Sequence, residues 1–129
     1  MIVLDGSAAV DYLASREPRE WVGEHVRRDP DVHAPHLLDV EVASGLRKLV
    51  ANRELSAGAV AAALEDLADL DVARYSHVEL LDRIWQLRAH VTPYDAAYVA
   101  LAEVLDATLV TTDGRLARSH GHRARIVSP

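Results

Sequence analysis

The chain has 129 residues, half of them hydrophobic, a formal net charge of −6 and no cysteine. Its length suits one domain, residues 1–129, with a core of its own, and the missing cysteines exclude disulfides and thiolate metal sites. An acidic chain is a poor general coat for nucleic acid, whose phosphates call for Lys and Arg.

No apolar run approaches the roughly 18 residues of a membrane span, and no basic flank precedes the N-terminal apolar stretch. Neither a membrane segment nor a signal peptide is expected, and the cytoplasm is the default location. Lys48 is the only lysine, so nearly all the positive charge is arginine.

Ile2 to Leu4 reads as a short buried strand, followed at once by Asp5. Ser7 is placed to cap a short helix through Val10 and Leu13. Pro18 marks the start of a second helix, Glu17 to Val26. Pro30 and Pro35 bracket an extended piece, Asp31 to Ala34. Leu37 to Ala51 is helical, with Leu38, Val42, Leu46 and Leu49 on one face. Ser56 to Leu70 forms an alanine-rich helix capped by Ser56, antiparallel to it across Asn52 to Leu55. That helical pair offers either a partner groove or ordinary internal packing.

Asp71 to Tyr75 reads as a strand. His77 to Ala89 reads as a helix with Leu80, Leu81, Ile84 and Leu87 as its apolar set. Trp21 and Trp85, both in amphipathic helices, read as packing residues ahead of base-stacking platforms. In Thr92-Pro93-Tyr94-Asp95 the threonine caps a helix, the proline takes its first position and the aspartate follows three residues on. The body of that helix is almost wholly apolar. Thr108 to Thr111 is a buried strand ending in TTDG, and Arg125 to Val127 is a last strand. Alternating strands and helices predict an α/β domain with a mostly parallel central sheet covered on both faces. Ligands bind such sheets beyond the carboxyl ends of the strands.

Asp5 and Asp113 both stand at such strand ends. Glu41 borders the buried stripe of its helix, and Asp95 heads a helix with no further charge until Glu103, sharing a face with Tyr98. Each acid alone has an ordinary explanation as a turn, cap or surface charge. Together they would repel, since two like charges about 4 Å apart cost about 4 kcal/mol at an effective dielectric near 20. Protonation or a bound cation relieves that, and a hard divalent ion suits carboxylate oxygens. The chemistry indicated is phosphodiester hydrolysis.

In this order the motifs resemble a PIN-domain ribonuclease of the VapC toxin type over essentially the whole chain. The resemblance rests on MIVLDGS around Asp5 and Ser7, LLDVEVA around Glu41, DAAYVALA from Asp95 and LVTTDGRL around Thr111 and Asp113. It implies a three-layer α/β/α domain and an Mg²⁺- or Mn²⁺-dependent endoribonuclease that cleaves RNA with a metal-activated water. Asp5, Glu41, Asp95 and Asp113 would be both catalytic and metal-holding, with Ser7 and Thr111 orienting them. It also implies a cognate antitoxin partner and a homodimer. The competing reading is a catalytically inactive PIN-like binding module. A phosphatase or receiver-type domain fits less well, because Ser7 stands where a second acid is needed and Lys48 follows no late strand.

Two features depart from the family pattern: Gly6 replaces the commoner alanine, and Asp39 adds an acid that reads as a surface charge. Arg115, Arg118, Arg123 and Arg125 crowd the C-terminal segment. Arg115 and Arg118 are the candidates to hold RNA phosphates, against a plain solvated tail. His120-Gly121-His122 has no third ligand nearby and reads as a loop histidine pair.

Overall fold

The computed structural model describes residues 1–129. Five strands, β1 (Ile2–Leu4), β2 (Val32–Pro35), β3 (Val72–Tyr75), β4 (Thr108–Val110) and β5 (Arg125–Val127), form one sheet in the order β3-β2-β1-β4-β5. All four pairings are parallel, so the expected mostly parallel sheet is wholly so. The helices are α1 (Gly6–Leu13), α2 (Arg19–Arg28), α3 (Leu37–Ala51), α4 (Ala57–Asp69), α5 (Leu81–Gln86), α6 (Pro93–Leu105) and α7 (Gly114–Ala117). No helix is long and apolar enough to cross a membrane.

Chain order explains where the sheet opens. From the central strand β1 the chain builds outward through β2 to β3, then returns to the other side of β1 with β4 and β5. The direction reverses between β1 and β4, and a crevice forms beyond their carboxyl ends. Leu4 pairs with Val110, and the Asp5 N–H donates to Val110 O at 3.2 Å. Asp5 and Thr111 therefore leave the sheet side by side.

The core follows from composition. Ile2, Val3 and Leu4 are all buried, as a parallel strand covered on both faces requires. Helices α1 to α4 pack as one group, with α1 against both α2 and α3, while α6 lies on β1, β2 and β4 with α5 packed against it. Seven successive residues, Ala96 to Ala102, are buried in α6. Its alanines let a helix lie close on the sheet while α5 covers it. On the other side, a Cβ at Gly45 would stand 2.7 Å from Val10 Cγ2, so glycine permits the close approach of α3 to α1.

Two ion pairs lock elements together. Arg74 Nε and Nη2 reach Asp39 Oδ2 and Oδ1, both at 2.8 Å, tying β3 to α3. Asp39 is therefore the anchor of a two-pronged bond and no free surface charge, and the Arg74 hydrogen bonds hold its carboxyl below the ordinary range. Arg83 Nε and Nη2 reach Glu103 Oε2 and Oε1, both at 2.9 Å, tying α5 to α6.

Other expectations need correction. Asp5, and not Ser7, caps α1: its carboxylate accepts from the Ala8 N–H at 2.9 Å, and Ser7 lies inside the first turn. Helix α2 begins at Arg19, with Pro18 as the residue before it, and runs to Arg28. The expected helix His77 to Ala89 is a 3-10 turn, Val78–Leu80, followed by the short α5. Leu80, Ile84 and Leu87 face inward at helical spacing, which turns Leu81 and Trp85 outward, 50% and 67% exposed. Trp85 is thus not a packing residue; Trp21 does pack against the core.

Candidate active site

Asp5 is the most enclosed of the four acids, only 4% exposed. Ser7 Oγ donates to its carboxylate at 2.9 Å, and Thr111 Oγ1 donates to Oδ2 at 2.7 Å. Burial pushes the Asp5 carboxyl up to about 6, against the pull of the hydrogen bonds from Ala8, Thr111 and Ser7; the Asp95 charge adds to the rise.

Glu41 projects from α3, and its Oε2 accepts the Tyr98 hydroxyl at 2.6 Å. Burial raises its carboxyl, the Tyr98 bond lowers it, and the Asp95 charge raises it again. A Cβ on residue 6 would stand 2.6 Å from Glu41 Oε2. Glycine at that position makes room for the carboxylate, which gives the departure at Gly6 a physical reason.

Asp95 opens α6, where its N–H donates to Thr92 Oγ1 at 3.2 Å, as the capping pattern predicts. Its carboxyl is raised by burial and by the Asp113 charge, against the Arg115 charge and the Thr92 bond. Asp113 caps α7: Oδ1 accepts the Arg115 N–H at 2.8 Å, and its own N–H donates to Thr111 Oγ1 at 3.0 Å. Ser7 Oγ accepts the Thr112 N–H at 3.2 Å, closing a ring of polar contacts between α1 and the β4–α7 turn. Thr111 is fully buried beneath this ring.

Asp5, Glu41, Asp95 and Asp113 line one cleft of about 570 Å³, together with Ser7. Asp11 and Lys48 stand in the same walls, and sequence reasoning missed both. Asp11 accepts the Thr112 hydroxyl at 2.7 Å, and burial raises its carboxyl. Tyr98 was also missed, although its place one turn after Asp95 was its signal. As placed, no three His, Asp or Glu side chains form a ready group of metal ligands. The donor chemistry nonetheless fits a hard divalent ion: oxygen atoms only, and three acids raised first by burial and then by a neighbouring acid, Asp95 for both Asp5 and Glu41, and Asp113 for Asp95.

The C-terminal arginines divide. Arg115 and Arg118 line a second cavity that adjoins the cleft at Asp95. Arg123 serves Glu103 through its N–H at 3.1 Å, and Arg125 Nε donates to Thr108 Oγ1 at 2.8 Å. His122 bonds Ser119 Oγ at 2.9 Å, and burial lowers its imidazole. His120 stacks edge-on against His90, with ring centroids 4.9 Å apart.

A family model for the PIN domain matches residues 2–120. The chain belongs to the PIN domain family. It is 44% identical over 117 residues to VapC ribonuclease Mb0985 of Mycobacterium bovis, covering 90% of this chain and 88% of that protein. It is 44% identical over 120 residues to Ribonuclease VapC1 of Mycobacterium tuberculosis, covering 92% and 90%. Ribonuclease VapC12 of the same species is 41% identical over 126 residues, 98% of this chain and 97% of that one. The fold of this PIN domain also matches solved structures. PAE2754 from Pyrobaculum aerophilum aligns with a TM-score of 0.71 at 22% identity, over 97% of this chain and 81% of that one. Mycobacterium tuberculosis VapC20, a toxin that cleaves the sarcin–ricin loop, aligns with a TM-score of 0.67 at 19% identity over the whole of both chains.

Proposed function

We propose that this PIN domain, residues 1–129, is the toxin of a type II toxin–antitoxin pair, an endoribonuclease dependent on Mg²⁺ or Mn²⁺. The reading is carried by one observation: Asp5, Glu41, Asp95 and Asp113 line a single cleft where the strand order switches sides, between β1 and β4. The VapC ribonucleases to which the chain is 40–44% identical support it. RNA is the substrate, a small antitoxin protein the cognate partner, a homodimer the assembly and the cytoplasm the setting.

The four acids would hold the metal. When bound, it would supply positive charge to the phosphoryl oxygens and lower the pKa of water beside them. The rest is the work of the chain. Thr111 and Ser7 hold the Asp5 carboxylate from two sides, so it meets a cation without reorganising. Tyr98 fixes Glu41 in the space that Gly6 leaves open. The rigid end of β1 fixes Asp5, and the Asp113 N–H bond to Thr111, itself bonded to Asp5, holds the start of α7 beside it.

Incubating the purified protein with total RNA tests this. Discrete fragments are expected with Mg²⁺ or Mn²⁺, and none with EDTA. Intact RNA under both conditions would overturn the reading in favour of an inactive binding module.

A further inference from the structure

Beside the acidic cleft lies a second cavity of about 550 Å³, and Asp95 belongs to the walls of both. Arg88, His90, Arg115, Arg118 and His120 also line it, and Asp95 is its only acid. The ion pairs of the chain use Arg16, Arg19, Arg27, Arg74, Arg83 and Arg123. Arg88, Arg115 and Arg118 take part in none of them. Three guanidinium groups thus line one cavity outside any ion pair, with Arg115 acting on Asp95 only at longer range, in a chain whose net charge is −6.

The walls of this cavity are held in place. Gly121 has φ +87, and a Cβ there would fall 2.2 Å from His90 Cδ2. The His90 ring therefore sits on the bare backbone of Gly121, edge-on to His120. A Cβ at Gly114 would meet Arg118 Nη1 at 3.0 Å, so Arg118 folds back over the start of α7. Arg88 stacks 4.6 Å over the Trp85 ring and donates to Trp85 O at 2.9 Å. Trp85 is 67% exposed and stands next to the cavity wall through its stacking with Arg88.

We propose that this cavity receives a backbone phosphate of single-stranded RNA next to the phosphodiester held in the acidic cleft, while Trp85 stacks a flanking base. The proposal rests on the endoribonuclease reading and extends it to how the strand is held. Guanidinium groups grip phosphate oxygens with paired N–H donors. A small basic cavity beside an acidic cleft draws in a polyanion that the protein as a whole repels. An exposed aromatic stacked on a wall residue, Arg88, selects unpaired bases, because a duplex offers no free face to stack.

The test measures binding in the cleavage-impaired Asp5→Asn protein, by fluorescence anisotropy with a short labelled single-stranded RNA of mixed sequence. Arg88→Ala, Arg88→Gln and His90→Ala are expected to weaken binding roughly 3- to 10-fold. The two Arg88 variants also lower the slope of log K against log salt by about 0.7. Trp85→Ala weakens binding about 5-fold or more and leaves that slope unchanged. Arg28→Ala, exposed on α2, changes neither. Melting temperatures confirm that each variant is folded. No binding by the parent, or unchanged affinity and slope in every cavity variant, overturns the proposal. Cleavage of total RNA by the wild type is scored separately, so loss of the enzymatic reading and loss of this subsite are told apart.

Discussion

Asp5→Asn is expected to melt higher than the wild type at neutral pH and to cut RNA on the order of 10³-fold more slowly. The loss of activity follows from removing one charge of the proposed metal site at the end of β1, where about 4 kcal/mol of transition-state stabilisation corresponds to three decades of rate. The gain in stability follows from burial. In the folded protein without metal, burial pushes the Asp5 carboxyl up to about 6, against 3.8 when free. Below both values it is neutral in either state. Between them the fold retains a proton that the unfolded chain has released, so stability falls as pH rises through that window. Above about pH 6 the whole penalty is present, on the order of 3 kcal/mol. Asparagine carries no such penalty. Its carboxamide oxygen accepts from the Ala8 N–H, and its amide donates to the Ser7 and Thr111 hydroxyls, which accept as readily as they donate. A melting curve at pH 7.5 without metal should show a rise of several degrees, and the rise should vanish near pH 4. An Asp5→Asn protein less stable than the wild type at pH 7.5 would contradict this account of the burial.

Arg83→Ala is expected to destabilise the fold by about 3 kcal/mol. The Glu103 side chain is 2% exposed and keeps its charge through the two Arg83 bonds. Burial pushes that carboxyl up, but the Arg83 bonds and the Arg123 N–H outweigh it, and the net shift is downward. Without Arg83 the carboxylate retains the Arg123 N–H and a guanidinium nitrogen 3.9 Å away. A charge stripped of its two strongest bonds then opposes the packing of α5 on α6. Because α6 carries Asp95, nuclease activity should fall as well. The urea midpoint reads the effect directly. The double variant Arg83→Met, Glu103→Leu should recover most of the stability, since apolar replacement of both partners leaves no buried charge, and the exposed Arg123 N–H that Glu103 accepted turns to water. A loss below about 1 kcal/mol in Arg83→Ala would show that the pair is only a surface contact.

Much of this fold is legible in the chain because local and tertiary signals agree. Leu38, Val42, Leu46 and Leu49 repeat at helical spacing and are the buried residues of α3. Thr92 and Pro93 start α6, and Ser56 caps α4 by accepting the Ala59 N–H. The errors fall where two residues of similar chemistry compete or where distant packing decides. Asp5 and Ser7 are both good capping residues, and only the position of β4, which sends Thr111 against Asp5, fixes which one turns back to Ala8. Trp85 was misread because a 3-10 turn before α5 sets the phase of that short helix, and nothing local announces it. The place of the four acids at one cleft was legible from strand ends and helix faces. The second cavity was not, since it joins Arg88 and His90 to Arg115, Arg118 and His120 across more than twenty residues of chain.

The central claim is that Asp5, Glu41, Asp95 and Asp113 act together as one divalent-metal site. Calorimetric titration with Mn²⁺, run on the wild type and on Asp5→Asn, Glu41→Gln, Asp95→Asn and Asp113→Asn, tests it most directly. Saturable binding is expected in the wild type and at least about tenfold weaker binding in each variant, because each removes one charged oxygen donor. Binding of equal strength in all five proteins, or no saturable binding in the wild type, would contradict it.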